Sequence, residues 1–304
     1  MRAAPDFDRA CQLREDLDFL EAQLQSDATR LIPVHRSGNL LISRESGVEP
    51  FMPTVGAASS LLEGDAELVW LGRLEGHGCF AVDISHLPDG ERHPAIPPEV
   101  EVRDLRYLLA RLPAGQAHVA AYASGMLGWH RRQRFCGACG ASTRPRRGGH
   151  LRICSASSCG AELFPRLDPA VLVLVQHEDS FLLGRQARWP KGMYSCLAGF
   201  VEPMETLEET VVREVAEETG VQVTDVRYQA SQPWPFPSSL MIGFTARALS
   251  REIHLGDEEL EEAAWFTREE LKHPTRPDFY TPKGESLSGQ LLARFALGED
   301  PSAE

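Results

Sequence analysis

No apolar run in the 304-residue chain approaches the roughly 20 residues that a membrane-spanning helix requires, which argues against a spanning segment. The start, Met1-Arg2-Ala3-Ala4-Pro5-Asp6, lacks the apolar core of a signal peptide, so the expected setting is the cytoplasm. Positive charge is also short. Lys plus Arg number 31 against 44 Asp plus Glu, a formal net charge of −13, which argues against a protein whose main task is coating nucleic acid. Convincing internal repeats are missing too. What is present, 42% hydrophobic and 25% charged residues, is ordinary for a folded chain and excludes a disordered one. The length exceeds one ordinary core, so two or three units are expected.

Cysteine is scarce except in one place. Cys136, Cys139, Cys154 and Cys159 fall within 24 residues, whereas Cys11, Cys79 and Cys196 are isolated and read as bystanders. Two close pairs separated by a short hairpin can set four thiolates tetrahedrally around Zn²⁺, with Gly137 and Gly140 allowing the tight turns. Four thiolates leave no open coordination position, so this metal is structural. Disulfides do not suit a reducing compartment, and a redox Cys-x-x-Cys needs no second pair. Residues 131–166 also carry eight arginines against the single acid Glu162, a local net charge of +7 within an acidic chain. That patch reads as a solvated surface, with phosphate or RNA contact as the alternative.

Before the ribbon, Leu68–Leu74 and Cys79–Ile84 read as strands of a hairpin, and Asp104–Leu112 and Gln116–Trp129 as helices. Residues 1–130 are therefore expected to be a small α+β domain, a scaffold or dimerisation unit without a catalytic constellation. After it come the ribbon, 131–166, and an α/β domain, 167–304. The latter opens with short apolar strands at Ala170–Val175 and Phe181–Leu183 and continues with strands near Val223–Ala230 and Leu240–Leu249. A last helix lies near Ser288–Leu297.

Between these strands, Thr206 with Glu209 three residues on forms a capping box, and Gly220 is a natural stop, so a helix spans about Leu207 to Thr219. At 100° per residue, Glu214, Glu217 and Glu218 share one arc, while Val211, Val212 and Val215 share the adjoining one and should pack on the sheet. Stacked like charges are unfavourable, and hard oxygen donors on one face suit Mg²⁺ or Mn²⁺ bridging to substrate phosphates.

The string Gly199-x5-Glu205-x7-Arg213-Glu214-Val215-x-Glu217-Glu218-x-Gly220-Val221 matches every position of the Nudix box. The chain thus resembles Nudix hydrolases. The resemblance implies an α/β/α sandwich with a mixed sheet that hydrolyses a nucleoside diphosphate linked to another moiety with divalent cations. It also implies that Glu214, Glu217 and Glu218 hold the metals, that Arg213 orients them, and that the Ala198 carbonyl is a further ligand. Downstream, Ser231-Gln232-Pro233-Trp234-Pro235-Phe236-Pro237-Ser238-Ser239 is similar to the signature of the NADH pyrophosphatase branch. That branch also places a four-cysteine zinc ribbon directly before the Nudix domain and pairs as a homodimer.

This narrower resemblance implies cleavage of NADH or NAD⁺ into NMN(H) and AMP, and removal of NAD caps from RNA. Gln232, Trp234, Phe236 and Ser239 would line the substrate pocket, Phe200 would stack on a base, and Glu259, in the acidic stretch Asp257–Glu262, would be an additional metal ligand. Ser288 falls where the branch has a small substrate-contacting residue. Phe164 stands where relatives can carry a tyrosine, keeping a stacking face without the hydroxyl, and the Cys154-x4-Cys159 gap is longer than in some relatives. The alternatives are an ADP-ribose or diadenosine polyphosphate hydrolase and, from another class, a zinc-ribbon nucleic-acid-binding regulator with a Nudix ligand sensor.

Overall fold

The computed structural model describes residues 6–36, 38–45, 47–64, 66–87, 93–109, 111–256, 259–283 and 286–298. The chain divides into two compact units, Arg2–Arg166 and one beginning at Leu167. The first holds both the N-terminal sheet and the ribbon.

In the first unit a seven-stranded sheet runs in the order Phe7–Asp8, Glu67–Leu74, His77–Asp83, Arg30–His35, Gly38–Arg44, Gly47–Pro50, with Val100–Asp104 also pairing to Gly38–Arg44. The expected hairpin at Glu67–Leu74 and His77–Asp83 forms, antiparallel, with Leu74 opposite His77. Of the two expected helices the first is shorter, Leu105–Leu109, with Asp104 ending the strand Val100–Asp104 that pairs into the sheet; the second runs Ala114–Arg132. Small and apolar residues on the long helix, among them Ala123, Met126 and Leu127, pack against Ile32, Val69, Leu71 and Ala81 on one face of the sheet. Removing such area from water contributes about 25 cal/mol per Å².

In the second unit the sheet order is Val223–Trp234, Ser239–Ala248, Asp168–His177, Ser180–Arg185, Glu262–Thr267, with Leu197–Phe200 also pairing antiparallel to Asp168–His177. Asp168–His177 pairs parallel with Ser239–Ala248, so the sheet is mixed. The central strand alternates between two cores. Val171, Val173 and Val175 face the helix Leu207–Thr219, through Val211 and Val215. Leu172 and Leu174 face Leu287, Leu291, Leu292 and Ala296 of the C-terminal helical segment. Burial on both sides explains why this strand reads as a continuous apolar run. The result is an α/β/α sandwich. Val212 departs from expectation: it stays exposed, because one further residue rotates it 100° beyond Val211, past the edge of the packed arc.

Candidate active site and metal centre

The ribbon's sheet consists of Thr143–Arg146, Leu151–Cys154 and Glu162–Leu163, with Leu151–Cys154 in the middle. Each cysteine pair lies in a knuckle closed by backbone bonds. Gly140 N–H donates to Cys136 O at 2.8 Å, and Gly160 N–H to Ala156 O at 3.0 Å. The longer second gap is absorbed by closing onto Ala156 instead of Cys154. Gly140 and Gly160 take left-handed φ of 76° and 58°; Gly137 does not, so only the glycine after each second cysteine is required by conformation. The Sγ atoms of Cys136, Cys139, Cys154 and Cys159 all lie within 4.8 Å of one another. Four convergent soft donors at this spacing fit Zn²⁺.

The ribbon is pinned to the N-terminal sheet. His130 is fully buried, its Nε2–H donating to Gly149 O at 2.6 Å and its Nδ1 lying 2.8 Å from Glu67 Oε1. Arg152 also reaches Glu67. Burial alone would raise the Glu67 carboxyl, but the hydrogen bonds and charges of His130 and Arg152 hold it at about 2. His150 Nε2–H donates to Trp70 O at 2.7 Å. The arginine patch is thus smaller than its sequence count: Arg131 pairs with Asp83, Arg147 with Glu15 and Arg152 with Glu67.

In the second unit the glutamate helix begins at the expected capping box. Glu209 N–H donates to Thr206 Oγ1 at 3.2 Å, and Thr206 N–H to Glu209 Oε2 at 2.8 Å. It ends at Gly220, φ 71°. Arg213 is a clamp between helix and loop. Its Nε donates to Glu205 Oε1 at 2.5 Å, one Nη to Phe200 O at 2.9 Å, and the other to Glu217 Oε2 at 2.9 Å, with Glu214 Oε1 3.0 Å away. The Arg213 guanidinium, with the Glu202 N–H, holds the Glu205 carboxyl at about 2.

Glu214 lies against Gly199, where an added Cβ would meet its carboxylate carbon at 1.8 Å. Only glycine allows that approach. Burial pushes the Glu214 carboxyl upward, and the charges of Glu217 and Glu259 push the same way against Arg213. Glu218 is 2% exposed. Glu259 arrives from a distant segment fastened to the helix end: His254 N–H donates to Thr219 O at 2.8 Å, and a Cβ on Gly256 would sit 2.0 Å from Glu217 O. Gln186 Nε2 then donates to Glu259 Oε1 at 3.3 Å, while Arg188 donates to Gln186 Oε1 at 2.8 Å. Nothing in the sequence pattern marked Gln186. Asp257 and Glu258 lie outside the described residues.

The structure therefore brings Glu214 into electrostatic reach of Glu217 and Glu259 without drawing the glutamates into one shell. Among the described residues, the cysteine quartet is the group whose donor atoms all fall within 4.8 Å. An excess of hard oxygen donors, one already raised by burial and like charge, suits a divalent cation such as Mg²⁺ or Mn²⁺. Ala198 lies on the strand Leu197–Phe200 opposite Leu172, one residue before the Gly199 cradle.

The proline-rich strip is less free than its composition implies. Residues through Trp234 continue the edge strand, with Pro233 opposite Leu240 and Trp234 opposite Ser239. Trp234 and Phe236 are half-buried and pack edge to face at 5.1 Å. Gln232 is buried and its Oε1 accepts Leu287 N–H at 2.7 Å; Ser239 is buried as well. Ser288 is buried, its hydroxyl 2.9 Å from Ser195 Oγ and accepting from Cys196 N–H at 3.2 Å. Phe200 offers an open face at 60% exposure. Phe164 is 59% exposed and belongs to the first unit.

A sandwich whose loop-capped helix presents clustered glutamates beside a glycine cradle defines a protein of the Nudix class. Family models match in register: a NUDIX domain at residues 166–285, an NADH pyrophosphatase zinc ribbon domain at 131–164, and an NADH pyrophosphatase-like rudimentary NUDIX domain at 28–129. The NAD-capped RNA hydrolase NudC of Mycobacterium bovis (strain BCG / Pasteur 1173P2) is 41% identical over 298 residues, covering 95% of this chain and 91% of that protein. The chain belongs to the Nudix family, in the branch that carries the NADH pyrophosphatase ribbon and N-terminal domain. Human NAD-capped RNA hydrolase NUDT12 is 45% identical over 199 residues, covering 62% of this chain and 43% of that protein, so the match spans less than half of that relative. A crystal structure of a NUDIX hydrolase from Nitrosomonas europaea overlays with a TM-score of 0.44 at 24% identity, covering 55% of this chain and 94% of that one. No helix among the described residues is long and apolar enough to cross a membrane.

Proposed function

We propose that the chain hydrolyses the pyrophosphate bond of NADH or NAD⁺ to NMN(H) and AMP, and removes NAD caps from RNA. The observation that carries this reading is the Arg213 clamp, which fixes Glu205, Glu214, Glu217 and the Phe200 carbonyl in one loop-to-helix unit. Glu214, Glu217, Glu218, Glu259 and the Ala198 carbonyl would hold Mg²⁺ or Mn²⁺. When bound, those ions supply positive charge to the phosphate oxygens and acidify a water. The chain's own residues do the positioning. Arg213 keeps three carboxylates from drifting apart under mutual repulsion, the Gly199 cradle admits Glu214 to the loop backbone, and the open face of Phe200 receives a base. Zn²⁺ in the ribbon keeps a structural role, and residues 1–130, 131–166 and 167–304 act as pairing scaffold, ribbon and catalytic domain of a cytoplasmic homodimer.

The Mycobacterium bovis relative's printed name and its 95% cover of this chain support the cap-removal part. The test is AMP release from NADH by the zinc-loaded protein with Mg²⁺ or Mn²⁺, abolished in Glu218→Gln. If neither metal supports AMP release, the reading fails. Comparing kcat/KM for NADH, NAD⁺, ADP-ribose, diadenosine polyphosphate and capped RNA separates this substrate from its rivals.

A further inference from the structure

The ribbon's three-stranded sheet has two different faces. On one, Thr143 and Arg152 are buried and Leu163 packs with the core of the N-terminal sheet, so this face is spent on holding the ribbon. Because side chains alternate along a strand, the next residues face away. Arg144 stands opposite Ile153, and Ile153 opposite Glu162, forming one row across the other face. Phe135 bridges to Ser142, two residues before Arg144, so Phe135 lies on this outer face. Phe135 is 66% exposed. Arg146 lies two residues beyond Arg144 on the same side, opposite the buried Leu151, so the open part of this face is the Arg144 end. Among the described residues, neither Arg144 nor Arg146 has a carboxylate within ion-pair distance, in contrast to Arg131, Arg147 and Arg152.

We propose that this outer face binds single-stranded RNA, with Phe135 stacking on a base and Arg144 and Arg146 contacting phosphates. Solvation accounts for exposed arginines but not for a phenylalanine exposed beside them; an aromatic face beside guanidiniums that no carboxylate neutralises is the combination that single strands reward, since every base has a face to stack and every linkage a charge. Glu162 on the same face weakens the field without cancelling two arginines. The protein-surface alternative, a second copy of the chain seated here, predicts a different outcome below. The proposal rests on the reading that the chain acts on capped RNA and adds where the RNA body is held.

The probe is an uncapped, 5′-monophosphorylated single-stranded RNA on the order of 12 nucleotides, titrated against the full zinc-loaded chain by fluorescence anisotropy at several salt concentrations. Phe135→Ala is expected to weaken binding about tenfold, and Phe135→Tyr to stay within about twofold of the parent, because a ring is kept. Arg144→Ala is expected to flatten the slope of log affinity against log salt by about 0.7, the contribution of one phosphate contact on a single strand. If Phe135→Ala loses zinc, the Arg144→Ala slope decides. The proposal is overturned if the parent chain does not bind, if Phe135→Ala and Arg144→Ala bind with parental affinity and slope, or if these variants shift the oligomeric state in sedimentation instead. Binding needs no turnover. A chain that releases AMP from NADH yet ignores RNA sinks this proposal alone, and one that binds RNA yet releases no AMP sinks the hydrolase reading alone.

Discussion

The two donor sets of this chain are built on opposite principles. The cysteines of the ribbon converge directly, four Sγ atoms within 4.8 Å, whereas Glu214 and Glu217 of the Nudix helix meet through an arginine that bridges them. Thiols are neutral when protonated and can be packed together by backbone knuckles at little electrostatic cost. Carboxylates ionise and repel, so a helix can align them but cannot gather them, and Arg213 limits the spread. A closed thiolate set suits a metal that never leaves; an open carboxylate set suits ions that must also meet a substrate.

The comparison breaks first at the cysteines. Cys154→Ala should abolish stoichiometric zinc and unfold the ribbon, since zinc binding in such modules is worth on the order of 10 kcal/mol of folding free energy. Metal content by atomic absorption and proteolysis of residues 131–166 check it. A ribbon that stays folded without zinc would mean that the knuckles alone suffice. Next is the clamp. Arg213→Gln leaves every glutamate in place but releases Glu205 and Glu217, so AMP release from NADH should fall about 10- to 100-fold, the usual cost of losing a group that orients metal ligands. An unchanged rate would show that the glutamates need no clamp.

A smaller effect concerns how the ribbon is attached. Burial, reinforced by Arg14, His130 and Arg9, holds the His150 imidazole at about 4, even though its bond to Trp70 O works the other way. The folded value lies below the unfolded value of about 6.5, so the unfolded chain binds the extra proton between them. Stability is therefore fully present above pH 6.5 and is lost as pH falls toward 4, by on the order of 3 kcal/mol. His150→Gln removes this titration while the cysteines are shared by both proteins. Denaturant melts at pH 7 and pH 5 should show a smaller pH dependence in the variant; equal dependence would assign the loss to the thiolates.

What the sequence disclosed follows the same divide between local and distant causes. The glutamate helix was legible to its end residues because its capping box, Gly220 stop and valine spacing are all local. Strand Arg30–His35 was not read: buried residues from Leu31 to Val34 leave no alternation, Pro33 argues against a strand, and its parallel partner is His77–Asp83. The cysteine quartet was plain from spacing alone. Glu259 came only through resemblance, since its approach depends on Gln186, 73 residues away. Gln232 and Ser288 likewise make their recorded bonds to Leu287, Ser195 and Cys196, which no local pattern could reveal.

The finest test lies in the turns beside the two donor sets. Both ribbon knuckles put glycine where the backbone is left-handed, but the Nudix loop puts Met204 there, at φ 75°. Glu205 N–H donates to Glu202 O at 3.2 Å, and Pro203 occupies the second position, so Glu202–Glu205 is a turn whose third residue needs a positive φ and favours glycine. A non-glycine residue there costs roughly 1–2 kcal/mol. Met204 is 99% exposed, so no packing offsets that cost. Glycine would give back part of the gain through its freer unfolded chain, roughly 0.4–1 kcal/mol. Met204→Gly should therefore stabilise the second unit by about 0.5–1 kcal/mol, raising its Tm by about 2 °C for a unit of this size. Calorimetry with both transitions resolved checks the assignment to that unit. A lowered Tm would show that the methionine side chain does more for this loop than its exposure allows.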